Sequence, residues 1–322
     1  MKINILSFVF ACAAMLASCG PKSIPASQIE SISEYDDGVA LLRTTGGYWY
    51  FVDENRVPIA EDSRISSIGD EFKDGLILAT VESSNPDLGE YQVLDRHGNV
   101  KLSSSSPFLS DLLPGSRIWV ASDKLTKTFD LAVGYEVSRP QGISLVDIPS
   151  GKVLITEDAV LKDCTASGTA VLSRTFTGRH PQWYENAYLV EFMLVGGDGG
   201  IIAPWGRIGY IGNFSKGLAP ASYCQAGRNI QHREVYACDN QRNLAKLGFI
   251  DEGGHMVIEP RFEEVSDFND KGYSRVQIKK PTLYSDGKNY KYIDMRGRIL
   301  SGAEEAEARR SYVGAENTNT YY

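Results

Sequence analysis

Residues 246–277 read KLGFIDEGGHMVIEPRFEEVSDFNDKGYSRVQ. Gly248-Phe249-Ile250-Asp251 has the composition of a strand ending in an acceptor side chain. Glu252-Gly253-Gly254 is a turn tolerant of positive φ, and His255-Met256-Val257-Ile258 is the returning strand, so the segment predicts a hairpin. Pro260 removes a ladder donor and is expected to end the strand, while Phe262, Val265 and Phe268 recur at a spacing of three, as in a packing segment rather than a strand. Gly272 then turns the chain into Tyr273–Ile278, which alternates with period two. Such a unit of about three short strands has too little apolar surface to fold alone and must stack on neighbours.

These residues resemble the WG-repeat family, the WG β-repeat of bacterial envelope and secreted proteins. Its units run roughly G-[YF]-I-D-x-x-G-x-x-[VI]-x-x-P-x-[FY]-x-x-[VA]-x-x-F-x-x-G-x-[AV]-x-V. The resemblance implies a β-repeat architecture and brings no assigned chemistry.

Two landmarks recur along the chain. A hairpin-turn residue after an apolar pair stands at Asp53, Asp95, Asp147, Gly196, Asp251 and Asp294, and a Gly opening the next strand stands at Gly38, Gly75, Gly115, Gly168, Gly217 and Gly272. From each turn to the following Gly the separations are 22, 20, 21, 21 and 21 residues, whereas from each Gly to the next turn they are 15, 20, 32, 28, 34 and 22. All length variation therefore falls in one connection, and insertions at one equivalent position of a repeat map to one face, commonly the binding face.

The expected fold is all-β, with six units spanning residues 34–300. The first fragment carries the Gly half and the last the hairpin half, an offset that suits a β-propeller-like ring closed by pairing its first and last strands. An open β-solenoid is the alternative, though polar caps for one are not evident. After the ring, Ser301-Gly302-Ala303-Glu304 resembles a capping box opening a short C-terminal helix, with Arg309 and Arg310 in its last turn. The polar end of residues 301–322 is expected to fray.

Residues 1–18 combine one Lys near the start with an apolar run and small residues before Cys19, the pattern of a secretory signal too short to span a membrane with flanks. Leu16-Ala17-Ser18-Cys19 resembles the bacterial lipobox, which implies lipidation at Cys19. Several acyl chains hold a protein to a membrane far more firmly than one. Residues 19–33 are then a lipidated tether. The absence of an acidic retention or export signal after Cys19 makes the periplasmic face of the outer membrane the expected address.

The net charge is −8 with both signs interspersed, and no basic run with interleaved aromatics argues for nucleic acid. No zinc or calcium pattern accompanies His97, His180, His232 and His255, and neither a cofactor loop nor a nucleophile elbow is present. The repeated Asp residues are expected to cap turn backbone rather than form a catalytic ring. Cys224 and Cys238 flank a loop that a disulfide would staple in an oxidising compartment. Cys164, among small residues, suits a buried position better than a nucleophile.

What remains are long insertions in three consecutive units, at 122–142, 174–188 and 222–246. The second and third carry Arg179, His180, Trp183, Tyr184, Tyr223, His232, Arg233 and Tyr236, the aromatic and cationic types enriched at binding hot spots. Trp183 and Tyr184 equally suit packing of the loop onto its neighbour. The expected function is a non-catalytic, membrane-tethered scaffold binding another envelope protein. The alternatives are a glycan or peptidoglycan-fragment binder stacking sugars on Trp183 and Tyr184 and, behind it, a hydrolase with paired acids.

Overall fold

The computed structural model describes residues 22–59, 63–83, 90–122, 125–130, 135–140, 142–179, 186–223, 225–229, 234–237, 246–278, 290–313 and 320–321. The signal expected at 1–18 and the lipidation expected at Cys19 fall on residues outside them. The chain divides into two compact units, Met1–Leu112 with Ile148–Gly151, and Leu113–Asp147 with Lys152–Tyr322.

The first unit is one antiparallel sheet in chain order: β1 (Ile29–Ile32), β2 (Val39–Thr44), β3 (Trp49–Asp53), β4 (Ser63–Ile68), β5 (Leu76–Ser83), β6 (Tyr91–Asp95) and β7 (Val100–Ser104). Its core joins Phe51, Ile65, Ile77, Ala79, Val81 and Leu94. The expected tether ends earlier than its Pro-rich composition suggests. Ile24 is buried with Ala40, Leu42 and Val52, its N–H donates to Arg56 O at 3.0 Å, and β1 pairs with β2. Burying one isoleucine is worth about 2 kcal/mol, enough to draw a short polar segment onto the sheet.

The second unit opens with β8 (Arg117–Ala121), β9 (Leu125–Asp130), β10 (Tyr135–Pro140), β11 (Ile143–Asp147), β12 (Lys152–Glu157) and β13 (Val160–Cys164). There follow β14 (Ala170–Arg179), β15 (Asn186–Val195), β16 (Ile201–Ala203), β17 (Tyr210–Ile211), β18 (Leu218–Ser222), β19 (Gln225–Asn229) and β20 (Glu234–Ala237). The chain finishes with β21 (Leu247–Asp251), β22 (Met256–Phe262), β23 (Glu264–Ser266), β24 (Tyr273–Gln277), β25 (Tyr290–Asp294), α1 (Gly302–Val313) and β26 (Thr320–Tyr321). All strand pairs are antiparallel, and among the described residues no sheet closes on itself.

The two sequence landmarks meet across one ladder. The residue one or two places after each Gly stands opposite the turn landmark or its neighbour: Val39↔Asp53, Leu76↔Asp95, Arg117↔Asp147, Ala170↔Val195, Leu218↔Asp251 and Tyr273↔Asp294. All six glycines have positive φ, from +75 to +95. At Gly38, Gly75 and Gly217 the preceding Asp37, Asp74 and Lys216 also have positive φ, and each turn closes with a reciprocal backbone pair, such as Lys73 N–H to Leu76 O at 2.9 Å. Positive φ at both central residues is the primed turn whose twist suits a hairpin.

The repeat holds one strand more than the sequence suggests. β23 covers Val265, inside the expected packing segment, because Glu264 and Val265 pair with Gln277 and Val276 on β24. Pro260 does not end β22 either. Leu247 stands opposite Phe262 and Phe249 opposite Ile258, so residues 259–261 bulge past Gly248. A proline is tolerated there because a bulged residue owes the ladder no donor. A Cβ on Gly248 would collide with Ile258 O and stand 2.7 Å from Pro260 N, so close backbone approach requires glycine at this site. Phe249, Phe262, Val265 and Phe268 are buried together, with Phe249 and Phe268 ring centroids 4.7 Å apart.

Successive hairpins touch through a second glycine. A Cβ on Gly254 would lie 2.8 Å from Ile202 Cγ2, on Gly199 2.9 Å from Leu154 Cβ, on Gly297 3.0 Å from Ile258 Cγ2, and on Gly98 2.8 Å from Phe51 Cγ. All four have φ between +78 and +83. These four turns thus rest directly on the hairpin before them.

Helix α1 forms where expected, but Glu304 does not close a capping box. Its two carboxylate oxygens accept from Arg298 at 2.8 and 3.1 Å. Ala308 and Tyr312 bury against Tyr292 and Leu300, and the Tyr312 hydroxyl stands 2.8 Å from Tyr273 O and 3.0 Å from Ser266 Oγ. The tail expected to fray contributes β26, which pairs with β23 through Ser266↔Thr320 and Val265↔Tyr321. An open strand edge offers a short polar segment backbone partners that water alone would otherwise supply.

Candidate interaction surface

The three insertions all build antiparallel hairpins in the second unit. The first forms β9–β10, paired from Tyr135↔Asp130 to Pro140↔Leu125. The second lengthens β14 and β15 to an unbroken ladder from Ala170↔Val195 to Arg179↔Asn186. The third forms β19–β20, and β19 docks along β15 through Ala187↔Asn229, Tyr188↔Arg228 and Leu189↔Gly227. The second and third insertions are therefore one sheet, β13-β14-β15-β19-β20, with β20 at its edge among the described residues, and β9 approaches β14.

The expected site residues distribute as follows. Arg179 ends β14 opposite Asn186, Tyr236 lies in β20 opposite Ala226, and Tyr223 stands between β18 and β19 with 58% of its surface exposed. His180, Trp183, Tyr184, His232 and Arg233 lie outside the described residues, as do Cys224 and Cys238. Cys164 is half-buried; its thiol donates to Thr165 O at 3.9 Å and its backbone N–H donates to Asp163 Oδ1 at 2.9 Å.

At the base of the extended ladder, Arg174 donates from Nε and Nη2 to Glu191 Oε2 at 3.0 and 2.8 Å. Its guanidinium stacks 4.4 Å from the centre of the Trp205 ring, whose indole N–H reaches Glu157 at 3.3 Å. Both the plane and the charge of the arginine are used, a fit that lysine cannot reproduce.

Sequence reasoning passes over Lys162 entirely. From β13 its ammonium donates to Ile211 O and lies 5.0 and 4.9 Å from the ring centres of Phe192 and Tyr210. Burial depresses its pKa to about 8, against the opposing pull of Asp163 and Asp267. Next to it, Asp163 Oδ2 accepts from Phe214 N–H at 2.6 Å. Enclosed on these sides, the pair clamps β13 to the 210–214 segment of the following repeat, and nothing in one repeat's residues marks it beforehand.

The turn carboxylates do structural work. Asp251 Oδ1 accepts from His255 N–H at 2.8 Å, Asp53 Oδ1 from Asn55 and Val57 at 2.9 Å, and Asp294 Oδ1 from Arg296 and Arg298 at 3.0 and 2.9 Å. Asp95 accepts from the backbone of His97 and Asn99. Partial burial opposes its ionisation, but hydrogen bonds from Asn99, Lys101 and the turn backbone outweigh that and bring its pKa down to about 2. At Asp147 the closing bond comes one residue later, from Gly151 N–H to Ile148 O at 3.3 Å. His97 and His255 are turn residues beside Asp37 and Asp251 at 3.5 and 3.4 Å, and among the described residues no three metal-ligating side chains converge.

Gly248, Asp251, Gly254 and the bulge at Pro260 together give the G-x-x-D-x-x-G spacing a geometry. Residues 248–280 match the WG containing repeat. The match covers one unit of the chain; its last strand departs from the signature, with one extra residue between Phe268 and Gly272 and Ser274 in place of Ala or Val. Among curated proteins nothing matches the chain. Solved structures include the computationally designed Ika8 protein, 13% identical over 87% of this chain and 88% of that one, with a TM-score of 0.21. They also include a europium-containing methanol dehydrogenase, 10% identical over 84% and 68% of the two chains, with a TM-score of 0.29. Scores this low carry no argument about fold or chemistry.

Proposed function

We propose that this chain is a non-catalytic, lipid-anchored WG-repeat scaffold of the cell envelope, binding another envelope protein through the sheet built by its insertions. The observation that supports the reading is the docking of β19 on β15, which turns two separate insertions into one surface whose outermost strand among the described residues is β20. An open edge offers unpaired backbone groups to a partner strand. The reading assigns no cofactor, metal or catalytic step. It takes Cys19 as the anchor, the outer membrane as the address, and the six repeats as units of a closed ring.

The test is capture from solubilised envelopes by the native protein, by a variant with β19–β20 replaced by a tight turn, and by Ala226→Pro, which would obstruct that hairpin locally. A partner held by the native protein and lost from both variants supports the reading. Equal capture by all three overturns it. Cys19→Ser should release the protein from the membrane fraction, and continued sedimentation with membranes would remove the anchor from the proposal. For the ring, deletion of residues 290–300 should unfold or oligomerise the protein, and a stable monomeric truncation would count against closure.

A further inference from the structure

A different surface, in the first unit, carries a second site. Ser67 stands opposite Thr80, and Thr80 opposite Tyr91, so the three side chains form one row across β4, β5 and β6. Directly opposite residues project to the same face of a sheet, and adjacent strands lie about 4.8 Å apart, so the row runs about 10 Å. A bulge sets this alignment: the β4–β5 register shifts between Ile65 and Ser67, and the Ser66 hydroxyl donates to Thr80 O at 3.2 Å. Without the shift Ser67 would point to the opposite face.

The row borders an open cavity of about 600 Å³, walled by Leu78, Ile68 and the chain from Pro107 to Asp111. Pro107, Phe108 and Leu109 give that wall an apolar surface, and Leu109 is 37% exposed. Among the described residues the hydroxyls of Ser67, Thr80 and Tyr91 have no protein hydrogen-bond partner. The one ionised group in the lining, Asp111, is already 4.0 Å from Lys73.

We propose that this cavity binds a neutral carbohydrate about the size of a disaccharide. Hydroxyls both donate and accept, and so answer sugar hydroxyls of either sense. The Tyr91 and Phe108 rings and the Leu78 side chain supply the apolar faces that pyranose C–H groups require. A peptide strand is the poorer fit, because β5 and β6 are paired on both sides and have no backbone edge to give. A charged ligand is poorer still, since the lining holds no unpaired cation and its single carboxylate has a partner. The volume lies within the range of small-molecule sites. The site does not depend on the scaffold reading, which concerns strands of the other unit.

The test is calorimetric titration of the mature chain with maltose, cellobiose, lactose and N,N′-diacetylchitobiose, and with trilysine as a charged comparator. At least one disaccharide should bind saturably with the same Kd at low and high salt. Thr80→Val and Tyr91→Phe each remove one hydroxyl at nearly constant shape and should each weaken binding roughly tenfold, while Ser144→Ala, in the other unit, leaves it unchanged. If Thr80→Val does not fold, Tyr91→Phe and the rim substitution Leu109→Glu carry the comparison. Absence of binding by every disaccharide, binding indifferent to the row, or preferential salt-sensitive binding of trilysine would each overturn the proposal.

Discussion

The turns at Gly254 and Gly151 both carry a glycine at positive φ, +79 and +66, yet their surroundings differ. Gly254 is pressed against Ile202 of the preceding hairpin, whereas a Cβ on Gly151 would meet nothing within 4 Å. One glycine answers to its own backbone and to the neighbouring repeat; the other answers to its backbone alone. The repeated hairpin is therefore held by two kinds of contact, those that shape a turn and those that seat it on the repeat before. The two kinds should fail differently.

The largest effect is expected at the seat. Gly254→Val adds a strained φ and an overlap with Ile202, together costing about 3–5 kcal/mol, while Gly151→Val bears only the φ strain of about 1–3 kcal/mol. Urea unfolding midpoints would measure the gap, and equal losses would erase the distinction. The Lys162 clamp is a seat of the polar kind. Its folded pKa of about 8 lies below its ordinary 10.5, so the unfolded chain binds the extra proton between these values and stability rises with pH across that window. The gain is on the order of 2–3 kcal/mol, and Lys162→Met should flatten the profile from pH 8 to 10.5.

Within a single turn the effects shrink. Asp95 has a folded pKa of about 2 against 3.8, so its contribution is complete above about pH 4 and disappears as pH falls through about 2. Asp95→Asn should cost about 1 kcal/mol at neutral pH and nothing below pH 2, as read by thermal melts across the acid range. Arg298→Ala removes exposed pairs to Glu304 and Asp294 and should leave the melting temperature where it is. A large shift there would show that surface pairs, rather than seated turns, hold the last repeat.

The same division explains what the sequence reveals. The landmarks Asp251, Asp294, Gly38 and Gly272 are legible because a capping carboxylate or a positive φ is dictated within a few residues. Contacts that depend on register across strands are not. Nothing local announces the bulge that makes Gly248 obligatory, the pairing that turns Val265 into a strand residue, or the burial of Ile24. The same holds for Lys162 and for the row of Ser67, Thr80 and Tyr91, assembled from three strands by one shifted register. Of the loop residues singled out by type, the strand placement of Arg179 and Tyr236 and the exposure of Tyr223 are on view; their neighbours fall outside the described residues.

The seated turn also has an evolutionary consequence. The glycine that touches the preceding repeat belongs to the hairpin, while added length enters in the connection upstream of it, where β14 and β15 can grow by paired residues without disturbing either seat. Lineages can thus change that connection freely while the stacked remainder stays under selection. The same connection is where a foreign hairpin could be grafted for display.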